Sequence, residues 1–197
     1  MQPMNSRAAL LLLSIMALPM AAPEPAFAQE VSQERIVNGL GKLTAAAPAI
    51  DIEILRQEAV NGGDKPMSAL PNWGRLAKLP QMVVEINFEN DSVAIQPTSY
   101  RTLGMIADAL HHPNLWDYNF LVVGHASATG SDTHNLDLSG RRADAIKEVL
   151  ATTFAVNPSR LYAVGVGEHL PIEGSKEDAS VNRRVQLINL GVFKRRS

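Results

Sequence analysis

From residue 81 to residue 190 the apolar residues change their spacing several times between every second position and about every 3.6. Val84, Ile86 and Phe88 alternate with Glu85 and Asn87, the pattern of a strand with one covered face. Pro97 suits the first turn of a helix, and Tyr100, Leu103, Ile106, Ala107 and Leu110 give that helix an apolar stripe that Pro113 brings to an end. Residues 118–123 read as a second strand, apolar enough to be central. Residues 124–133 read as a loop, followed by a long helix over about 134–154 with Asp132 or Thr133 as its N-cap. A third strand is expected over 161–166 and a fourth over 185–190, after a loop holding Pro171 and Gly174. This order predicts an α+β fold, with helices layered on one face of a sheet.

The long helix separates two adjacent arginines. At about 100° per residue, Leu136, Ala143, Ile146, Leu150 and Phe154 share a sector, while Asp137, Arg141, Asp144 and Glu148 point the other way. Arg141 thus belongs to the wet face. Arg142 falls on the edge of the apolar sector, within about 20° of Asn135 two turns earlier. Polar groups at a core boundary need partners, and a helix N-terminus favours an anion. Arg142 therefore either pairs with a local carboxylate or loop carbonyls, or it takes a ligand.

The segment before residue 81 is of a different kind. Arg7, an apolar stretch over residues 8–22 and Ala26-Phe27-Ala28 together make a secretory signal peptide over residues 1–28, so the mature chain is expected to begin at Gln29. The apolar run is shorter than the roughly 20 residues of a spanning helix, and Pro19 and Pro23 interrupt it. Residues 29–80 form an extension: Thr44-Ala45-Ala46-Ala47-Pro48 reads as a linker, residues 50–60 as a short helix, and residues 61–66 as a turn or helix stop. Leu70, Trp73, Leu76 and Leu79 either pack on the main domain or offer a surface to a partner protein. The chain has no cysteine, which excludes disulfides and lipidation of a cysteine at a new N-terminus. With 197 residues and 46% hydrophobic content it can bury one full core besides the extension. A net charge of −2, with one basic run in the tail over residues 191–197, argues against nucleic acid as a partner.

Gly124-His125-Ala126-Ser127, then Asn135, Leu138-Ser139, Arg141-Arg142-Ala143 and, much later, Asn182-Arg183-Arg184-Val185 form an ordered series of polar motifs. The series resembles the peptidoglycan-binding domain of the OmpA C-terminal family, which carries Gly-His-Thr-Asp, an Asn, Leu-Ser-x-x-Arg-Ala and Asn-Arg-Arg-Val in this order. The resemblance covers residues 81–190 and implies the βαβαββ order of that fold. It also implies a ligand, the diaminopimelate of the peptidoglycan stem peptide, whose carboxylate the family's arginine takes and whose ammonium its aspartate takes. The arginine corresponds to Arg142, whose planar fork suits a carboxylate. The aspartate corresponds to Ser127, which accepts a hydrogen bond but cannot neutralise an ammonium. Loss of such a charge-assisted contact costs about 1.5 to 3 kcal/mol, roughly ten- to a hundredfold in affinity. Asp132 is one candidate replacement. Asn90, Asp91, Thr129, Asn135, Arg183 and Arg184 are expected to border the same pocket.

Other chemistries fit less well. Ser127 and His125, with His134, Asp132 and Asp137 nearby, are the residue types of a hydrolase, but Gly-His-Ala-Ser is not a Gly-x-Ser-x-Gly elbow. The spacings of His125, Asp132, His134 and His169 match no metal-ligand motif, and no cofactor motif is found. The expectation is a non-catalytic cell-envelope protein, periplasmic, associated with the cell wall and peripheral to the outer membrane, binding peptidoglycan. The alternative is a degenerate domain of this fold serving as a periplasmic protein-interaction module. In both, residues 29–80 are the segment that would meet an outer-membrane or periplasmic partner.

Overall fold

The computed structural model describes residues 32–41, 50–62, 65–172, 174–176, 178 and 182–192. The expected signal peptide, the Thr44–Pro48 linker and the basic run at 194–196 lie outside the described residues.

Among the described residues four strands form one sheet: β1 (Gln81–Val84), β2 (Tyr118–Gly124), β3 (Leu161–Gly165) and β4 (Val185–Val192). Their spatial order is β1-β4-β2-β3, with β2 and β3 parallel and β4 antiparallel to both β1 and β2. A parallel pair cannot be closed by a tight turn, and the 21-residue helix α5 (Asp132–Thr152) makes the crossover from β2 to β3. A shorter helix, α4 (Tyr100–His111), links β1 to β2. The order βαβαββ is therefore realised.

One sheet face carries Val84, Phe120, Val122, Val185 and Leu187, which pack with Leu103, Ile106 and Leu110 of α4 and Ala143, Ile146 and Leu150 of α5. The opposite face carries Leu121, Val123, Val164, Ile188 and Leu190. This two-residue alternation along β2 and β4 makes both faces apolar, so both need cover. The segment before β1 supplies what the second face needs. Its helix α1 (Gln33–Leu40) joins the first core through Ile36 and Leu40. Its helices α2 (Ile52–Gly62) and α3 (Pro71–Leu76) cover the second face with Leu55, Ala59, Leu70, Trp73 and Leu76. Trp73 is fully buried, and its indole N–H donates to the Leu55 carbonyl at 2.8 Å, so its one polar group is satisfied. The helices of the main domain occupy one face, as expected, and the extension closes the other.

Three local expectations are corrected. The first strand ends at Val84, and Phe88 instead forms a bridge to Ile95 across a small loop over residues 88–95. Tyr100, assigned to the apolar stripe, is exposed. The N-cap of α5 is Ser131, whose hydroxyl accepts the His134 amide at 3.3 Å, so Asp132 and Thr133 already lie inside the helix.

A candidate ligand site at the ends of the parallel strands

The C-terminal ends of β2 and β3 meet α5 at backbone contact distance. A Cβ on Gly124 would lie 2.2 Å from the Ser139 carbonyl oxygen, and one on Gly165 would lie 2.1 Å from the Gly140 nitrogen. Glycine at both positions lets the helix sit directly on the strand ends. Ser139 then joins the elements: its hydroxyl donates to the Leu136 carbonyl at 3.0 Å and accepts the Gly167 amide at 2.9 Å. The Ala126 amide donates to the Gly167 carbonyl at 2.7 Å, and the His125 amide to the Arg184 carbonyl at 3.0 Å. The loops after β2 and β3 and the entry to β4 are thus held together.

His125 is buried, and its Nε2 lies 3.0 Å from Gln186 Oε1. Burial, with the nearby Arg184 charge, holds its pKa well below 6.5 despite the Gln186 bond, so the ring is neutral and acts as a strut of the loop. Ser127 is 1% exposed. Its carbonyl accepts from the Thr129 amide at 2.7 Å and from Asn135 Nδ2 at 3.3 Å. Its hydroxyl accepts from Arg183 Nη1 at 3.0 Å and lies 3.4 Å from Thr129 Oγ1. The partners of this hydroxyl do not include His125, so the arrangement is not that of a nucleophile with its base. His134 pairs with Asp91 and His169 approaches Asp132, and no cluster of three potential metal ligands occurs among the described residues.

Arg142 reaches the loop between residues 89 and 92. Its Nε donates to the Ser92 carbonyl at 2.9 Å, its Nη2 to the Glu89 carbonyl at 3.4 Å, and its guanidinium lies over the Phe88 ring, 4.8 Å from the centroid. Desolvation lowers its pKa, Asp91 opposes that shift, and the Arg183 charge adds to it. The side chain therefore stays charged while sharing a field with Arg183. Arg160 offers a contrast. It is buried, donates to the Tyr118, Leu110 and Leu115 carbonyls through Nε, Nη1 and Nη2, and serves the fold alone. Arg142 has donors on Nη1 that no described residue takes. Arg141 is solvated beside Asp137, at 3.7 Å.

The expected site residues fall into two groups. Ser127, Thr129, Asn135 and Arg183 make one. Arg142 with the Asn90–Asp91 turn makes the other, in which Asp91 adopts a left-handed φ of 49° and its Oδ1 lies 2.6 Å from His134 Nε2. His134, next to Asn135 on α5 and paired with Asp91, links the two groups, while Arg142 and Arg183 oppose each other as like charges. Arg184 does not join them. Its Nη2 donates to the Leu170 carbonyl at 3.1 Å, and burial lowers its pKa to about 10, so it braces the loop behind His125. Asn182 is buried, accepts from the Ile172 amide at 3.0 Å and donates to the Lys176 carbonyl at 2.7 Å. Sequence reasoning missed Glu168, whose Oε2 accepts from Asn135 Nδ2 at 2.5 Å. Only its place directly after Gly165-Val166-Gly167 offered a signal.

Comparison with known proteins gives matches over part of the chain. Residues 87–184 match the OmpA family. The chain is 36% identical over 114 residues to outer membrane porin F of Pseudomonas fluorescens, covering 56% of this chain and 34% of that protein. It is 35% identical over 88 residues to a peptidoglycan-associated lipoprotein of Agrobacterium fabrum, covering 44% and 48%. It is 27% identical over 154 residues to the peptidoglycan-binding protein ArfA of Mycobacterium bovis, covering 75% and 46%. The chain thus spans less than half the length of each of these relatives.

Proposed function

Because residues 87–184 match the OmpA family, we propose that this chain is a non-catalytic cell-envelope protein that binds peptidoglycan through the diaminopimelate of the stem peptide. The observation that carries this reading is the half-engaged guanidinium of Arg142, fixed by two loop carbonyls and Phe88 with further donors left for a carboxylate. Asn135, Thr129, Asn90, Asp91 and Arg183 border the bound group, and Arg184 supports the loop behind it. Two of the relatives are named for attachment to peptidoglycan, which fits the same reading. A signal peptide over residues 1–28 would deliver the mature chain to the periplasm, against the cell wall.

Co-sedimentation with purified sacculi, with and without free diaminopimelate, tests this. Arg142→Ala is expected to lose about ten- to a hundredfold in affinity, the range for a charge-assisted contact, while Arg141→Ala stays near wild type. Equal losses from both would mean general electrostatic attraction and would reject the site.

One observation favours a second reading, a protein-interaction module. Arg183 donates to Ser127 at the place where the family's aspartate would meet an ammonium. A site closed in that way would leave sacculi unbound by the wild type.

A further inference from the structure

We propose that Glu168 supplies the acidic half of the site that residue 127 lacks; this rests on the reading of the site as one for an amino-acid centre. Such a centre brings a carboxylate and an ammonium together, and desolvating the ammonium requires an opposing charge. Ser127 has none, and its hydroxyl is engaged by Arg183. The other nearby acids are exposed to solvent, where water screens their charge. Asp91 is exposed and paired with His134, and Asp132 faces His169 at 2.8 Å. Glu89 is exposed and contributes its backbone carbonyl to Arg142.

Glu168 differs in position and in support. Asn135 Nδ2 donates both to the Ser127 carbonyl and to Glu168 Oε2, so this carboxylate lies no farther from residue 127 than those two bonds end to end. Its backbone is fixed by Gly167, which has a left-handed φ of 58° and bonds to both Ser139 and Ala126. The half-buried side chain has its second oxygen, Oε1, unengaged by any described residue. A carboxylate held through one oxygen and open at the other suits an incoming ammonium. Asn135 thus bridges the loop after β2 and the loop after β3, which carries the negative charge.

The test is calorimetric titration of the mature protein with two synthetic stem peptides, one carrying free diaminopimelate and one with its side-chain amine acetylated. Wild type is expected to prefer the free amine by about ten- to a hundredfold. Glu168→Gln keeps an acceptor for Asn135 but removes the charge, so it should lose that preference, the two peptides then binding it with similar affinity. Ser127→Asp added to Glu168→Gln should restore the preference. Should Glu168→Gln fail to fold, Ser127→Asp alone decides: with Glu168 already in place it should gain less than tenfold for the free amine, and a larger gain would overturn the assignment. Equal affinity of the wild type for both peptides, or an undiminished preference in Glu168→Gln, would also overturn it. Wild type binding neither peptide would reject the site itself, and the role of Glu168 with it.

Discussion

Replacing Trp73 by alanine tests whether the segment before β1 is part of the fold or an appendage. The indole is fully buried between α2 and the sheet face formed by Leu121, Val123, Ile188 and Leu190, and its N–H is bonded to Leu55. Removing a buried tryptophan side chain leaves a cavity that costs about 3–5 kcal/mol, a range that takes in a single satisfied hydrogen bond. For a chain of this size, each kcal/mol lowers the melting temperature by about 2–4 °C, so a drop of roughly 6–20 °C is expected. Urea denaturation followed by circular dichroism gives the free energy directly, with Ile54→Ala as the control, since Ile54 is 52% exposed on α2 and should change stability by about 0.5 kcal/mol or less. A loss below about 1 kcal/mol for Trp73→Ala, indistinguishable from the control, would refute the role of α2 and α3 as cover for the sheet. It would also return their apolar side chains to consideration as a docking face.

The close seat of α5 on the strands gives a second expectation. Gly165→Ala forces a Cβ against the Gly140 backbone at 2.1 Å and should cost about 1–3 kcal/mol, with sacculus binding weakened as Asn135 shifts; Gly39→Ala in α1, where nothing lies within 4 Å, should be neutral or slightly stabilising in the same urea titration. The buried neutral His125 gives a third. Its folded-state pKa is lowered, so below about pH 6.5 the unfolded chain binds a proton that the folded chain does not, and stability falls with decreasing pH at up to about 1.4 kcal/mol per unit until the folded-state value is reached. His125→Gln should flatten that slope between pH 6.5 and 5; an unchanged slope would assign it to other groups.

The sequence alone determined those parts of this protein that follow from local periodicity. Residues 118–123 are apolar at every position save Asn119, and the structure gives them a central strand. The helical spacing of Ala143, Ile146 and Leu150 already separated a solvated Arg141 from an Arg142 at the core edge, because a helix of fixed pitch assigns each residue a direction. Local reasoning was weaker at the ends of elements, where one side chain decides the outcome: Ser131 caps α5, and β1 stops at Val84 although the alternation runs on to Phe88.

Contacts between distant segments were decided only by the tertiary structure. Trp73 was visible as an apolar residue, but that it closes the second sheet face depends on β2 and β4 presenting two apolar faces at once. Arg183 meets Ser127 from 56 positions away, and Asn135, which also bonds Ser127, reaches Glu168 across 33. A charge read along the chain has no direction until the loops that carry it are fixed. Here they are fixed by bonds from the His125, Ala126 and Gly167 amides to residues on other elements, the last of them to Ser139 of the helix seated on Gly124 and Gly165.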